Sequence, residues 1–335
     1  MIKRLLNLSL GLLAFTAFLP SCSTDVDVAG NYKETTVIYG LLNQYDTVQY
    51  VRIQKAFLVN DNVLDYTKVP DSIYYKPEDL SVVLEKLNPA SNTIEQTINM
   101  SHTLMPKDSG MFASGNLIIY KTNAALDSSK LYRLKITNLK SGKVTTASTR
   151  LVSGLQIKNP NAFTTVTVNL NPISKNGFDL KWKPALNGVL YQVEVKFTWT
   201  EIDVVQSTSK PDSILWTFSP IERKTTADIT YNLPHNEFFI FLRDNLEAKP
   251  NVQRKIGKIS FKIYAGTEEL NQYIQINKPS TGIIQEKPLY TNVENGLGIF
   301  SARASFERNN LDLTKSPTRD TLRLGQYTGH LGFIE

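Results

Sequence analysis

The fold is decided by the stretch LYRLKITNLKSGKVTTASTRLV at residues 131–152. Apolar and polar side chains alternate over its first seven residues, which is typical of a β-strand with one buried face. The core candidates are Leu131, either Leu134 or Tyr132, and Ile136. The turn Lys140-Ser141-Gly142-Lys143 leads into a second run, so the stretch predicts a β-hairpin.

Short strands and polar turns also fill the chain before this hairpin. Further strands are predicted at residues 35–42, 47–54, 80–87 and 116–122. The first two flank a turn at 43–46 and predict another hairpin. Turn signals at intervals of about 8–12 residues indicate two packed sheets. Residues 31–153 are therefore predicted to form an immunoglobulin-like β-sandwich.

The C-terminal half has a β pattern of its own. Phe178–Trp182 and Tyr191–Phe197 resemble the second and third strands of a fibronectin type III module. There a buried tryptophan fills the space between two sheets, and the next strand alternates against it. A further strand is predicted at 256–265. Residues 154–335 are expected to form a second, larger, fibronectin-III-like β domain, so the whole chain is predicted to be mainly β.

Two short helices are expected within this second domain. They are predicted at 236–245 and 267–276. Apolar side chains recur at helical spacing in both, and the first residue of each, Asn236 or Thr267, is a suitable N-cap. Glu268 and Glu269 fall in the first turn of the second helix, where acidic side chains complement the helix dipole. This favours a capping role over a catalytic carboxylate pair.

The N-terminus carries a secretion signal that ends beside a cysteine. A basic start, an apolar run over Leu5–Leu19 and the small residue Ser21 before the cut predict a signal peptide at residues 1–21. Cys22 then resembles the acylated cysteine of a bacterial lipobox. The alternatives are a transmembrane helix, for which the run is short of about 20 residues, and a plain signal with an incidental cysteine.

Acylation also accounts for the cysteine content. Cys22 is the only cysteine of 335 residues, so no intramolecular disulfide can form. Residues 22–30 are expected to be a lipidated tether, and the acyl chains to bind the membrane, because each buried methylene contributes about 0.8 kcal/mol.

Composition and charge exclude several classes of protein. The hydrophobic content of 41% and the charged content of 20% are typical of a folded globular chain and not of a disordered one. Without Lys3 and Arg4 of the signal, 35 basic residues face 31 acidic ones, and no run of five like charges occurs. Nucleic acid is therefore not expected as a partner.

A segment near the C-terminus suggests a family. Asn292, Gly296, Gly298 and Phe300 form an N-x-x-x-G-x-G-x-F pattern. With the lipobox and the two β domains, this ordering resembles a family of Bacteroidota outer-membrane lipoproteins known only as a domain of unknown function. The resemblance implies an outer-membrane location, often beside TonB-dependent receptors, and no catalytic residues. Early acidic residues after Cys22 resemble the surface-export signals of such lipoproteins.

The sequence contains no motif for catalysis, cofactor binding or a metal site. There is no G-x-S-x-G or phosphate-binding loop, and Gly296 and Gly298 lack the third glycine of a dinucleotide site, which favours a close backbone approach. None of the three histidines has metal-ligand spacing. They are His102, His235 and His330. The loop oxygens of Asn60, Asp61, Asn62 and Asp65 predict a solvated turn in preference to a cation site.

Four Asp-Ser/Thr-apolar triplets resemble the O-glycosylation sites of exported Bacteroidota proteins, and each is also typical of a turn before a strand. The candidate acceptors are Thr47, Ser72, Ser213 and Thr321. At least one is predicted to carry a glycan in the native host. An intact-mass measurement that shows only added lipid would exclude this.

The sequence therefore predicts a non-enzymatic lipoprotein of the outer membrane that faces the cell exterior, with no cofactor. Its expected role is to bind a partner or exported substrate beside an outer-membrane β-barrel, such as a TonB-dependent transporter or an assembly complex. The alternatives are a glycan-binding or carbohydrate-active surface protein, and a structural or adhesion lipoprotein.

Overall fold

A computed structural model describes most of the chain. The described residues are 34–56, 73–106, 116–161, 163, 167–170, 177–278 and 289–335. Strands make up 54% and helices 14%, so the protein is mainly β, as predicted. Within the described ranges, no helix combines the length and the hydropathy of a membrane span.

The first sandwich contains the strands predicted before residue 153 and two that were not predicted, at residues 94–99 and 101–106. They are Thr35–Leu42 (β1), Gln49–Ala56 (β2), Leu80–Leu87 (β3), Ile94–Asn99 (β4), Ser101–Pro106 (β5), Asn116–Thr122 (β6), Leu131–Asn138 (β7) and Val144–Arg150 (β8). One sheet has the order β5-β6-β2-β1 and the other β4-β3-β7-β8, with antiparallel neighbours throughout. This pairing is the predicted immunoglobulin-like arrangement.

The side chains of β7 explain why this strand anchors the first core. Tyr132, Leu134 and Ile136 are buried, whereas Leu131 is only half-buried. The inward face of β7 is therefore formed by the even-numbered residues, so both Tyr132 and Leu134 belong to the core. The Tyr132 hydroxyl accepts a hydrogen bond from the backbone N–H of Asp127 at 2.7 Å. A tyrosine at this corner that bonds to backbone a few residues upstream is a hallmark of immunoglobulin-like sandwiches.

The second sandwich contains the remaining elements. They are Gln156–Asn159 (β9), Thr167–Val168 (β10), Phe178–Lys183 (β11), Leu190–Asp203 (β12), Thr208–Thr217 (β13), Ile221–Glu222 (β14), Ile229–Leu233 (β15), Glu237–Asn245 (α1), Val252–Gly266 (β16), Glu268–Asn277 (α2), Val293–Glu294 (β17), Gly296–Leu313 (β18), Asp320–Leu324 (α3) and Phe333–Ile334 (β19). One sheet is β9-β11-β15 and the facing one is β13-β12-β16-β18. The fibronectin-III-like prediction is confirmed, because β11 and β12 lie in opposite sheets, as the second and third strands of that module do.

A tryptophan fills the space between these two sheets, as the sequence predicts. Trp182 on β11 is fully buried, and its ring centroid lies 5.9 Å from that of Tyr191 on β12. The Tyr191 hydroxyl accepts from the Ala185 N–H at 3.0 Å and donates to the Gly188 carbonyl at 3.1 Å. The buried hydroxyl therefore fixes the turn between the two strands.

The helices α1 and α2 begin one residue later than predicted. The predicted residues Asn236 and Thr267 occupy the N-cap positions, but neither side chain makes the capping hydrogen bond. Asn236 is left-handed with φ of 68°, and its side chain does not cap α1. Thr267 precedes α2, but its hydroxyl contacts Ser301 and Glu269 instead of a helix N–H. The capping residues are thus in place, while the capping bonds are not formed.

One long strand joins the two sandwiches. Residues 296–302 of β18 pair in parallel with β1 of the first sandwich, and residues 303–311 pair antiparallel with β16 of the second. The short strand β17 also pairs with β8. Residues 293–302 therefore complete the first sandwich, although the sequence predicted a second unit that begins at 154 and continues to 335.

Candidate binding surfaces

The structure places two of the predicted glycan acceptors on the surface. Thr47 is exposed in the turn before β2, and Ser213 is exposed in the middle of β13, where it lies opposite Thr198. Thr321 is half-buried in α3 and its hydroxyl donates to the Pro317 carbonyl at 2.8 Å. The expected turn is thus wrong for Ser213 and Thr321, because strand pairing and a helix override the local Asp-Ser/Thr signal. Cys22 and Ser72 lie outside the described residues, as do Asn60, Asp61, Asn62 and Asp65.

The three histidines lie on separate elements. His102 is exposed on β5, His235 precedes α1, and His330 is exposed in the turn Gly329–Leu331. Within the described ranges, no group of three or more His, Cys, Asp and Glu side chains converges as a metal site requires.

The N-x-x-x-G-x-G-x-F segment closes one side of the first sandwich. The Asn292 amide donates to the Phe300 carbonyl at 2.6 Å and accepts from the Phe300 N–H at 3.0 Å. Gly298 has φ of +99°, and a Cβ there would lie 2.0 Å from the Ile38 carbonyl oxygen. The predicted close backbone approach is confirmed. The segment is therefore a structural clasp between β8 in one sheet and β1 in the other.

A polar groove runs over the outer face of the second sandwich. It is lined by Glu194, Lys196, Thr198, Leu215, Ser260, Lys262, Tyr264, Glu307, Asn309 and Asn310. The register shifts between Phe197 and Trp199 on β12, and again on β16 near Ser260. Bulges of this kind are common beside binding sites because they redirect side chains. Polar residues at every second position of β12 and β16 are the signal by which the sequence could have predicted this groove.

The charged groups of the groove neutralise one another. The Tyr264 hydroxyl donates to Glu194 at 2.8 Å, and burial followed by this contact raises the pKa of Tyr264. Lys262 pairs with Glu307, and the hydrogen bonds from Lys262 and Asn309 lower the pKa of Glu307. A carboxyl with a lowered pKa is ionised at neutral pH and is unsuited to act as a general acid. The groove can therefore offer hydrogen bonds to a polar ligand, and Glu307 is unsuited to the general-acid role that glycoside hydrolysis requires.

The clustered aromatic rings of the second sandwich pack against its core. Trp216 lies 4.3 Å from Phe218 and 5.2 Å from Phe241, measured between ring centroids. It also contacts the buried Phe238 at 6.3 Å. These rings fill the open side of the sandwich under α1, so they do not present the flat exposed platform that a glycan site uses.

The comparisons with known proteins leave the function open. No protein-family model matches the chain, and no curated protein is similar to it. Among solved structures, the chain is similar to the crystal structure of DIP-gamma IG1+IG2 at 11% identity and a TM-score of 0.16. The match covers 70% of this chain and 91% of that one, and at this score it carries no argument about fold or function.

Proposed function

We propose that this protein is a non-enzymatic lipoprotein of the outer membrane, anchored through acylated Cys22, that binds a partner beside an outer-membrane β-barrel such as a TonB-dependent transporter. The observation that carries the proposal is the direction in which the chain enters the fold. The resemblance of the N-terminus to a lipobox, and of the clasp segment to the Bacteroidota family, supports the location.

The entry point of the chain determines which sandwich lies nearer the anchor. Thr36, at the start of β1, lies opposite Gly296, at the start of β18. From there β18 runs 18 residues, about 60 Å, through the first sandwich and into the second. The chain therefore enters at the end of the first sandwich that is farthest from the second.

The tether then limits how far the fold stands from the membrane. The residues between Cys22 and Glu34 span at most about 40 Å when fully extended. The first sandwich is thus held next to the lipid, and the second sandwich extends beyond it. Confinement of this kind raises the effective concentration at a membrane partner without strong direct contacts.

The groove on the second sandwich favours glycan binding as a second candidate function. Its neutralised charges and its amide and hydroxyl groups are suited to a polyhydroxylated ligand. No observation of the described residues favours the hydrolytic form of this alternative, or the structural and adhesion role.

Replacing Cys22 with serine tests the anchor. We expect Cys22→Ser to move the protein from the envelope pellet to the soluble fraction of the native host, because serine cannot carry the thioether-linked lipid. Ser21→Ala keeps a small residue before the cut, so this control should sediment like the native protein. Retention of Cys22→Ser in the envelope, or a mature N-terminus other than residue 22, would contradict the proposal.

Affinity purification from native membranes tests the partner. A β-barrel that co-purifies at a fixed ratio is expected from the proposed role. Recovery of this chain alone, in several copies, would instead indicate the structural or adhesion role.

A further inference from the structure

We infer that the outer edge of residues 94–106, here called the open edge, is a site where a partner protein adds an extended β-strand. This inference rests on the proposed function, and it specifies where on the molecule the partner would bind.

The open edge is one continuous strand that changes sheet at its middle. Among the described residues, β4 pairs with β3 alone and β5 pairs with β6 alone. Met100 between them is buried, and its N–H donates to the Val82 carbonyl at 3.0 Å. The two strands therefore present an edge of 13 residues, about 43 Å long, along one side of the first sandwich.

The side chains of the open edge are exposed and almost uncharged. Most residues of β4 and β5 are exposed, including Ile94, Leu104 and Met105. Glu95 is the single residue with a formal charge at neutral pH, and it pairs with Lys130 at 2.8 Å. An exposed edge that lacks unpaired charges is open to pairing with another strand.

The strand at the opposite edge is protected. Because β18 pairs with β1, the sheet that ends in β5 continues into the second sandwich and ends there in β13. β13 carries Lys210, Pro211 and Asp212. Lysine and proline are the residues with which natural sheets block edge pairing. The edge strands β9 and β15 of the small sheet are short, at four and five residues. The open edge has none of these protections before its last residue, Pro106.

The chemistry of the open edge identifies its occupant as an extended segment of another protein. Among protein ligands, only another extended backbone pairs with a row of backbone N–H and C=O groups along its whole length. Leu104 and Met105 are successive residues and point to opposite faces, so the added strand should be uncharged, with an apolar residue on each face. A second copy matches less well, because a two-fold axis at Thr103 or Leu104 places Met105 opposite Ser101 or Thr103.

Hydrogen exchange of the full chain in native envelopes tests this inference. We expect the outward-facing backbone amides of residues 101–105 to exchange about tenfold more slowly in the envelope than in the purified protein. The amides of β13 should exchange equally in both. Leu104→Lys should abolish the protection, since it places a charge on the open edge. Leu139→Lys is the matched control, because Leu139 lies in the turn after β7, away from the open edge, and is similarly exposed, at 60% against 59% for Leu104.

A photo-crosslinker in place of Leu104 identifies the occupant. The inference predicts an adduct with a segment of a different protein, together with protection of 101–105. An adduct with a second copy of this chain, equal exchange in both samples, or protection that survives Leu104→Lys would overturn it. The photo-crosslink is made in whole cells, so an adduct can form wherever the native chain is located. Failure of this inference is therefore distinguishable from failure of the anchor in the Cys22→Ser experiment.

Discussion

Gly298→Ala is expected to destabilise the first sandwich by about 2–6 kcal/mol. The native φ of +99° is unfavourable for any residue with a Cβ, which costs about 1–3 kcal/mol. The new methyl group would also lie 2.0 Å from the Ile38 carbonyl oxygen, in the pairing of β1 with β18. Relief of that clash separates the two strands, at a further cost of about 1–3 kcal/mol.

The tryptophans make this effect measurable for each sandwich. The chain has three, Trp182, Trp199 and Trp216, and all lie in the second sandwich. Fluorescence therefore reports unfolding of the second sandwich, while far-ultraviolet circular dichroism reports both. In the native protein the shared β18 should make the two denaturation curves coincide. In Gly298→Ala the circular dichroism transition should occur at lower denaturant than the fluorescence transition.

Gly142→Ala is the matched control for backbone strain. Gly142 also has a positive φ, of +70°, but nothing lies within 4 Å of its Cβ position. This variant should lose only the strain component, about 1 kcal/mol. Equal losses for Gly142→Ala and Gly298→Ala would show that the contact with Ile38 does not hold the clasp together.

Features that depend on local alternation were predictable from the sequence. The hairpin of β7 and β8, the strands β1, β3 and β6, and the tryptophan of β11 all have apolar residues at period two or a recognisable turn. β18 was not predicted, because its parallel partner β1 lies 260 residues earlier in the chain and nothing local signals that pairing. For the same reason, the predicted division at 154 did not anticipate that residues 296–302 return to pair with β1.

The candidate binding edge escaped prediction for a different physical reason. β4 and β5 are exposed on both faces, so they lack the alternation that marks a half-buried strand. The sequence of residues 94–106 shows only that charged residues are scarce there. Scarce charge separates an open edge strand from a protected one once a strand is known, but it does not predict the strand itself. Similarly, no local pattern indicates that Arg254 is buried.

Arg254→Met should produce a loss of about 3–5 kcal/mol, because it removes a buried charge that joins three separate segments. Arg254 is 1% exposed. Its guanidinium donates to Glu201 on β12 at 3.3 Å, to the Leu331 carbonyl at 2.6 Å and to the Glu247 carbonyl at 2.9 Å. Methionine has a similar length but leaves both carbonyls without their donor and Glu201 without its buried partner.

The pH dependence distinguishes this electrostatic loss from a simple packing defect. Burial raises the pKa of Glu201, but Lys249, Arg254 and Lys210 outweigh it and hold the pKa below its ordinary value of 4.5. In the native protein Glu201 therefore stabilises the fold above pH 4.5, and this contribution is lost as the pH falls through the lowered pKa. Without Arg254 the pKa of Glu201 is expected to rise, because one of the charges that lower it is gone. The penalty for losing the guanidinium therefore shrinks as acid protonates the carboxyl.

Urea denaturation of both proteins at pH 7 and pH 4 measures the effect. The difference in unfolding free energy between native protein and Arg254→Met should be larger at pH 7 than at pH 4. Lys249→Met is the control, because Lys249 also contacts Glu201 but is 45% exposed, and exposed pairs contribute about 1 kcal/mol or less. An Arg254→Met loss that is the same at both pH values, or no larger than that of Lys249→Met, would mean that the buried guanidinium does not hold the C-terminal segment in place.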